Sequence, residues 1–194
     1  PDEIQRGDDA PWGSDQPAPP PSWPDATGQA TEATQPLSPE EIQRIEEMRY
    51  RRELDEAFMQ LAIAVAVSSE EKPSETKPPI GAVVISHDGA ILGEGVSDWN
   101  SDAVLVALEN AGTKLTEEAG KWTPLTHATL YVTMEPGNPV VVNLIQQVGV
   151  SRVVIGSPHP NPQLQSKATE TLLAAGLDVR IGEVLREECD ELIR

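Results

Sequence analysis

Five short apolar runs, of four to six residues each, constrain the fold of this chain more than any other feature. They are 80–85, 90–95, 128–132, 152–155 and 178–181. Longer segments with helical spacing separate the later runs, and strands that alternate with helices are typical of a sheet between helical layers. Asp88-Gly89 lies between the first two runs, which indicates a hairpin and thus an antiparallel pair. We therefore predict an α/β fold, a three-layer α/β/α sandwich with a five-stranded mixed sheet.

The helical segments are predicted from apolar spacing and from turn residues at their ends. Ser38, Pro39 and Glu41 suit the start of a helix, as cap, first position and capping-box partner. Gly176 suits the end of another. We predict helices over 39–68, 102–111, 139–148 and 163–175, and a short last helix carrying Val184, Leu185, Glu188 and Leu192.

Residues 1–38 differ in composition from the rest of the chain. They hold eight of the eighteen prolines and a net charge of −6, so they bury too little apolar surface to fold alone. We predict a disordered acidic tail over 1–38 and a folded domain over 39–194 that begins with a helical extension. Trp12 and Trp23 are candidate partner-binding residues in this tail. Docking onto the chain's own domain, or no role, stays open for both.

The net charge, apolar runs and cysteine content of the chain limit its possible partners and its compartment. The net charge of −18 repels phosphate backbones, so direct nucleic-acid binding is not expected. A basic protein partner or solubility explains the charge better. The absence of a run of 18 apolar residues argues against a membrane helix. Cys189 is the single cysteine, which favours a reducing intracellular compartment, cytoplasmic or nuclear, and its acidic neighbours disfavour a reactive thiolate.

Several local motifs occur in a fixed order between about residue 54 and residue 185. They are Pro79-Ile80-Gly81-Ala82-Val83-Val84 with Asp88-Gly89 and Gly93-Glu94-Gly95, then Thr129 to Pro136, Val148 to Val154, Pro158 to Gln163 and Ala174 to Val179. In this order they resemble the cytidine/deoxycytidylate deaminase-like superfamily, and within it most closely the pyrimidine deaminase of riboflavin biosynthesis. The resemblance implies the cytidine-deaminase-like fold.

The resemblance also assigns the positions that hold zinc in these deaminases. Such enzymes carry a His or Cys ligand, a proton-transferring Glu two residues later, and two cysteines at the start of the next helix. Here those positions are Asp102, Val104, Gly137 and Val140, next to a retained Glu135-Pro136. Asp102 alone cannot form a zinc site, because catalytic zinc takes about three protein ligands. The resemblance therefore implies a vestigial site, with no catalytic residue, metal or cofactor.

Two further expectations concern this vestigial site. Val104 and Val140, with Val141 nearby, are expected to line the space that the metal would take, either filled by neighbours or dry. The histidines His87, His127 and His159 have no partners at ligand spacing and are expected to be ordinary surface or loop residues.

Three functions remain open at this stage. The preferred one is a catalytically inactive deaminase-fold protein that serves as a binding or scaffolding subunit of a complex, as a homo- or hetero-oligomer. The second is a sensor of a nucleotide-like small molecule in the vestigial pocket. The third is a divergent riboflavin-pathway or nucleotide deaminase.

Overall fold

The computed structural model describes residues 37–68, 78–97, 101–119 and 125–194, without the side chains of 113–119. The chain separates into two units, Pro1–Ser38 and Pro39–Arg194, and the second is the subject below. Trp12, Trp23 and the predicted disorder of the tail lie outside the described residues. Among the helices that are described, none combines the length and apolarity needed to span a membrane.

A five-stranded mixed sheet forms the centre of the domain, as predicted. Its strand order is β2-β1-β3-β4-β5, with β1 antiparallel to β2 and β3, and with β3, β4 and β5 parallel. The strands are β1 Gly81–Ile85, β2 Ile91–Val96, β3 Thr129–Met134, β4 Arg152–Ser157 and β5 Asp178–Ile181. The helices are α1 Pro39–Val67, α2 Ala103–Ala119, α3 Pro139–Gln147, α4 Lys167–Ala174 and α5 Arg186–Ile193.

Two hydrophobic cores lie on opposite faces of the sheet. Alternate residues of β1 divide between them, because successive side chains of a strand point to opposite faces. Ala82 and Val84 pack with α2, α3 and α4 in the larger core. Val83 and Ile85 pack with α1 and α5 in the smaller core. The predicted three-layer sandwich is therefore confirmed.

Glycines in β2 allow α2 to lie directly on the sheet. A Cβ at Gly93 would stand 2.2 Å from the carbonyl oxygen of Ala107, and one at Gly95 would stand 2.2 Å from that of Ala103. Backbone atoms cannot yield at such a distance, so the Gly93-Glu94-Gly95 segment is a packing requirement of this helix–strand contact.

Several predicted boundaries were wrong. Helix α2 continues to Ala119, past the predicted end at residue 111, because an interior glycine such as Gly112 costs a helix only about 1 kcal/mol. Strands β3 and β4 run on to Met134 and Ser157, which pair with each other across the parallel ladder. Helix α4 begins at Lys167 rather than 163, for a reason that lies in the site below.

The first half of α1 differs from the second in its surroundings. All residues from Pro39 to Leu54 are exposed, whereas Asp55, Met59, Ala62 and Ala66 are buried against the sheet. Side-chain pairs one turn apart support the exposed half, among them Arg49 with Glu53 and Arg52 with Glu56. The prediction of a helical extension at the start of the domain concerns this half.

Candidate functional site

Glu135 follows directly after β3 and is fully buried. Its Oε2 accepts hydrogen bonds from the backbone N–H groups of Ser166 and His159, at 2.9 and 3.3 Å. Its Oε1 accepts from the backbone N–H and the hydroxyl of Thr169, at 3.1 and 2.9 Å. Four donors thus satisfy the buried carboxylate, which a buried charge requires. The side chain joins the end of β3 to the start of α4.

The same contacts explain where α4 begins. Ser166 precedes the helix with a φ of 65°, a left-handed conformation, and its own side chain does not cap the helix. Glu135 instead takes two backbone N–H groups at this end, where the helix dipole favours a negative charge. Residues 163–165 therefore lie in turns although their sequence favours helix.

Side chains at the starts of α2 and α3 cap their own helices. The Oδ1 of Asp102 accepts from the backbone N–H of Val104 at 2.9 Å. The Oδ1 of Asn138 accepts from the backbone N–H of Val140 at 3.0 Å, and Pro139 takes the first helical position, where proline fits well. Both helix starts to which the resemblance assigns zinc ligands are thus closed by an N-cap.

His159 lies against Gly137. A Cβ at residue 137 would stand 2.7 Å from the Nε2 atom of His159, closer than real side chains approach. The Nδ1 of this ring accepts from the backbone N–H of Asn161 at 3.0 Å, so the proton of the neutral ring is on Nε2. The imidazole therefore occupies the space that a side chain at position 137 would need.

The two valines of the predicted site are not together. Val104 is buried in the larger core, whereas Val140 is 73% exposed. The expectation of a pocket lined by both is wrong, because α3 turns Val141, Val142 and Ile145 inward and leaves its second residue outside. A groove of about 200 Å³ lies instead between α3 and α4. Its lining includes Pro136, Gly137, Asn143, Leu164, Lys167 and Thr171.

Cys189 is fully buried in the smaller core, where its sulfur packs against Gly156. Burial raises the pKa of the thiol to about 12, with smaller contributions from Glu188 and Asp190. The thiol is therefore protonated at neutral pH and gives no nucleophile.

A second buried polar cluster lies at the other end of β3 and β4, and the sequence analysis missed it. Arg152 donates from both terminal nitrogens to the carboxylate of Asp55, at 2.6 and 2.7 Å, and the hydroxyl of Tyr131 donates to the same carboxylate at 2.8 Å. Burial, with this contact to Asp55, raises the pKa of Tyr131 above its usual range. The hydrogen bond to Asp55 raises the pKa of Arg152. Asp55 and Arg152 are 97 positions apart in the chain, so no local sequence pattern indicates that they pair.

Comparison with known proteins relates this geometry to a family. Residues 52–157 match the family model of the cytidine and deoxycytidylate deaminase zinc-binding region. The chain belongs to the cytidine and deoxycytidylate deaminase family. Within it, the chain is 34% identical over 148 residues to the riboflavin biosynthesis protein RibD of Aquifex aeolicus. The predicted membership, and the closeness to the riboflavin deaminases, are thereby confirmed.

The length covered differs between relatives. The match to the Aquifex protein takes in 73% of this chain and 38% of the relative. The diaminohydroxyphosphoribosylamino-pyrimidine deaminase of Buchnera aphidicola is 30% identical, with 69% of this chain and 87% of the relative covered. The structure of a Thermotoga maritima deaminase/reductase is 33% identical with a TM-score of 0.62, covering 73% of this chain and 40% of that one. This chain thus spans well under half of the two longer relatives.

Zinc is the metal that the family model implies, and the described residues do not fit it. At the four assigned positions only Asp102 has a donor atom, and its Oδ1 already caps α2. Gly137 has no side chain, and Val140 is apolar and exposed. Among the residues that the structure describes, no group of three or more His, Cys, Asp and Glu side chains is arranged to hold a metal ion.

Proposed function

We propose that this deaminase-family chain is catalytically inactive and acts as a binding or scaffolding subunit of a protein complex inside the cell, in the cytoplasm or nucleus. The observation that carries the proposal is the contact of His159 with Gly137, which leaves 2.7 Å between the ring Nε2 and a Cβ at position 137. A thiolate ligand at this position needs the volume that the imidazole takes.

The chemistry of the family supports the same proposal. Zinc deaminases activate a water on the metal and pass its proton to the leaving amine through a glutamate. Val104 stands at the position of that glutamate and carries no ionisable group. Glu135, the nearest retained carboxylate in the sequence motif, accepts four hydrogen bonds from the segment leading into α4 and from its first turn. The role that remains is contact with other molecules, and a protein partner is proposed rather than nucleic acid or membrane.

A second candidate is a divergent riboflavin-pathway deaminase, or a sensor that binds a related compound. Identity of 30 to 34% to riboflavin biosynthesis proteins favours this candidate. The groove beside Gly137 also favours it, since Asn143, Lys167 and Thr171 give an apolar cleft a polar rim. In this case the ligand would be a pyrimidine that carries a ribose phosphate.

An ammonia-release assay with bound-metal analysis tests the two candidates. The full chain is incubated with Zn²⁺ and the diaminohydroxyphosphoribosylamino-pyrimidine, with the Buchnera deaminase as the positive control. We expect no ammonia above background and no stoichiometric zinc. Turnover, or one zinc per chain, would overturn the inactive proposal. Native mass spectrometry of protein purified from its own source then tests the binding role, and a free monomer without any bound polypeptide would contradict it.

A further inference from the structure

A cleft of about 550 Å³ lies at the end of the sheet away from Gly137. It is bounded by α1, by the turn that joins β1 to β2, by Thr129 at the start of β3 and by Ser151 just before β4. Gly137 follows the other end of β3, so the two sites lie at opposite ends of the parallel strands. The volume is within the range of small-molecule sites, roughly 300 to 1,000 Å³.

This cleft concentrates residue types that are rare in the chain. The sequence has two tyrosines and one phenylalanine, and all three, Tyr50, Phe58 and Tyr131, line the cleft. Phe58 and Tyr131 contact each other with ring centroids 5.4 Å apart. Two of the three histidines, His87 and His127, line it as well. The cleft thus offers aromatic faces and imidazoles to one ligand.

The wall of the cleft is already neutralised. Arg152 and Asp55 hold each other through two hydrogen bonds, and Tyr131 donates to the same carboxylate. The Nε–H of Arg152 also donates to the carboxylate of Asp178 at 3.2 Å. These contacts fix the shape of the cleft wall and pair the charge of Arg152 with carboxylates of the chain itself.

Three side chains at the mouth of the cleft can donate to an anionic group. Arg51 brings a permanent positive charge from α1, and His87 and His127 bring imidazole donors from two separate turns. The one further carboxylate in the lining, that of Asp88, accepts a hydrogen bond from the hydroxyl of Ser86 and lies 4.0 Å from the Nδ1 of His87. His127 has a φ of 67°, a left-handed conformation that is uncommon for residues with a side chain.

We propose that this cleft is a second binding site, for a planar aromatic or heteroaromatic ring that carries one anionic group. The ring lies against Tyr50 and Phe58, because aromatic faces bury flat rings well, and the buried Tyr131 supports Phe58 through their ring contact. The anionic group lies near Arg51 and the two histidines, which are its donors. The site is independent of whether the deaminase site is active, so it goes beyond the proposed function.

The histidines provide the readout for a test. Imidazole signals of His87, His127 and His159 are followed by NMR in the full 194-residue chain, each assigned by a His→Gln variant. The probe is naphthalene sulfonate, with inorganic sulfate and naphthalene methanol supplying the charge and the ring separately. We expect saturable shifts of the His87 and His127 signals with the first probe, and at least about fivefold weaker binding of the other two.

A pair of arginine variants locates the anionic group. Arg51→Gln is expected to weaken naphthalene sulfonate binding roughly tenfold. Arg44→Gln removes the same charge from the exposed half of α1 outside the cleft and should leave the binding unchanged. Shifts confined to His159, equal effects of the two variants, or no saturation in the millimolar range would each overturn the proposal.

Discussion

The polar side chains at the two ends of the parallel strands have different kinds of partner. At the end beside Gly137, the caps Asp102 and Asn138 and the buried Glu135 all take backbone N–H groups of helix starts or of the loop before α4. At the other end, Asp55 and Arg152 neutralise each other, and histidines and tyrosines surround an open cleft. At the end with the family's zinc positions, these oxygens hold helix starts, whereas the opposite end has an open cleft.

The largest effect is expected from the ion pair at the cleft end. Asp55→Ala leaves the mostly buried Arg152 without its main partner and also removes the acceptor of Tyr131, so the free energy of unfolding should fall by about 3–5 kcal/mol. Urea denaturation measures this loss. Glu53→Ala breaks the exposed pair with Arg49 in the same helix and should change stability by less than about 0.5 kcal/mol. Similar losses in both variants would contradict a buried pair at the cleft.

The second largest effect is expected at Glu135, which joins the end of β3 to the start of α4. Glu135→Gln places an amide NH₂ against backbone N–H donors, and at least one buried donor loses its acceptor, so we expect a loss of about 2–3 kcal/mol. The thermal melting temperature measures it. Glu170→Gln, on the exposed side of α4, is the matched control and should melt within a degree or two of the parent. An unchanged melting temperature for Glu135→Gln would show that the carboxylate does not hold the start of α4.

A smaller effect isolates the contact between Gly137 and His159. Gly137→Ala should displace the imidazole of His159 and lower the free energy of unfolding by about 1–2 kcal/mol. His159→Ala should make room, so that the double variant loses less than the sum of the single ones. A double-mutant cycle measures this coupling. Additive losses would mean that the ring and residue 137 do not compete for space.

The smallest effects concern the two caps. Asp102→Ala and Asn138→Ala should each cost about 1 kcal/mol, because each removes one acceptor from a helix start. Chemical denaturation of the single and double variants measures both, and the losses should add because the caps share no partner. An unchanged midpoint in either variant would indicate that its helix start is satisfied in another way.

The elements were predictable because their patterns are local. The prediction for β5, residues 178–181, agrees with the structure at both ends, and the hairpin turn at Asp88-Gly89 joins β1 to β2 as expected. Misjudged boundaries depended on distant groups. Helix propensity extends α4 back to 163, but Glu135, 31 positions before Ser166, fixes a later start.

In the candidate site, too, local features were predictable from the sequence and long-range ones were not. Its residues were named from the order of motifs along the chain, and the structure places Asp102, Glu135 and Gly137 at the starts or ends of the expected elements. The exposure of Val140 was not predictable, because it depends on how α3 is rotated against the sheet. His159 was expected to be an ordinary loop residue, and its contact with Gly137 joins two loops that only the parallel pairing of β3 and β4 brings together.

The sequence by itself determined the layers of the sandwich, the family, and the residue types at the family's zinc positions. These depend on periodicity and on motifs within a few residues, which a chain displays before it folds. Only the tertiary structure decided that Glu135 holds α4, that His159 takes the space beside Gly137, and that Asp55 meets Arg152 beneath an aromatic cleft. Those contacts join residues 22 to 97 positions apart, and a contact of that range leaves no periodic pattern in the chain.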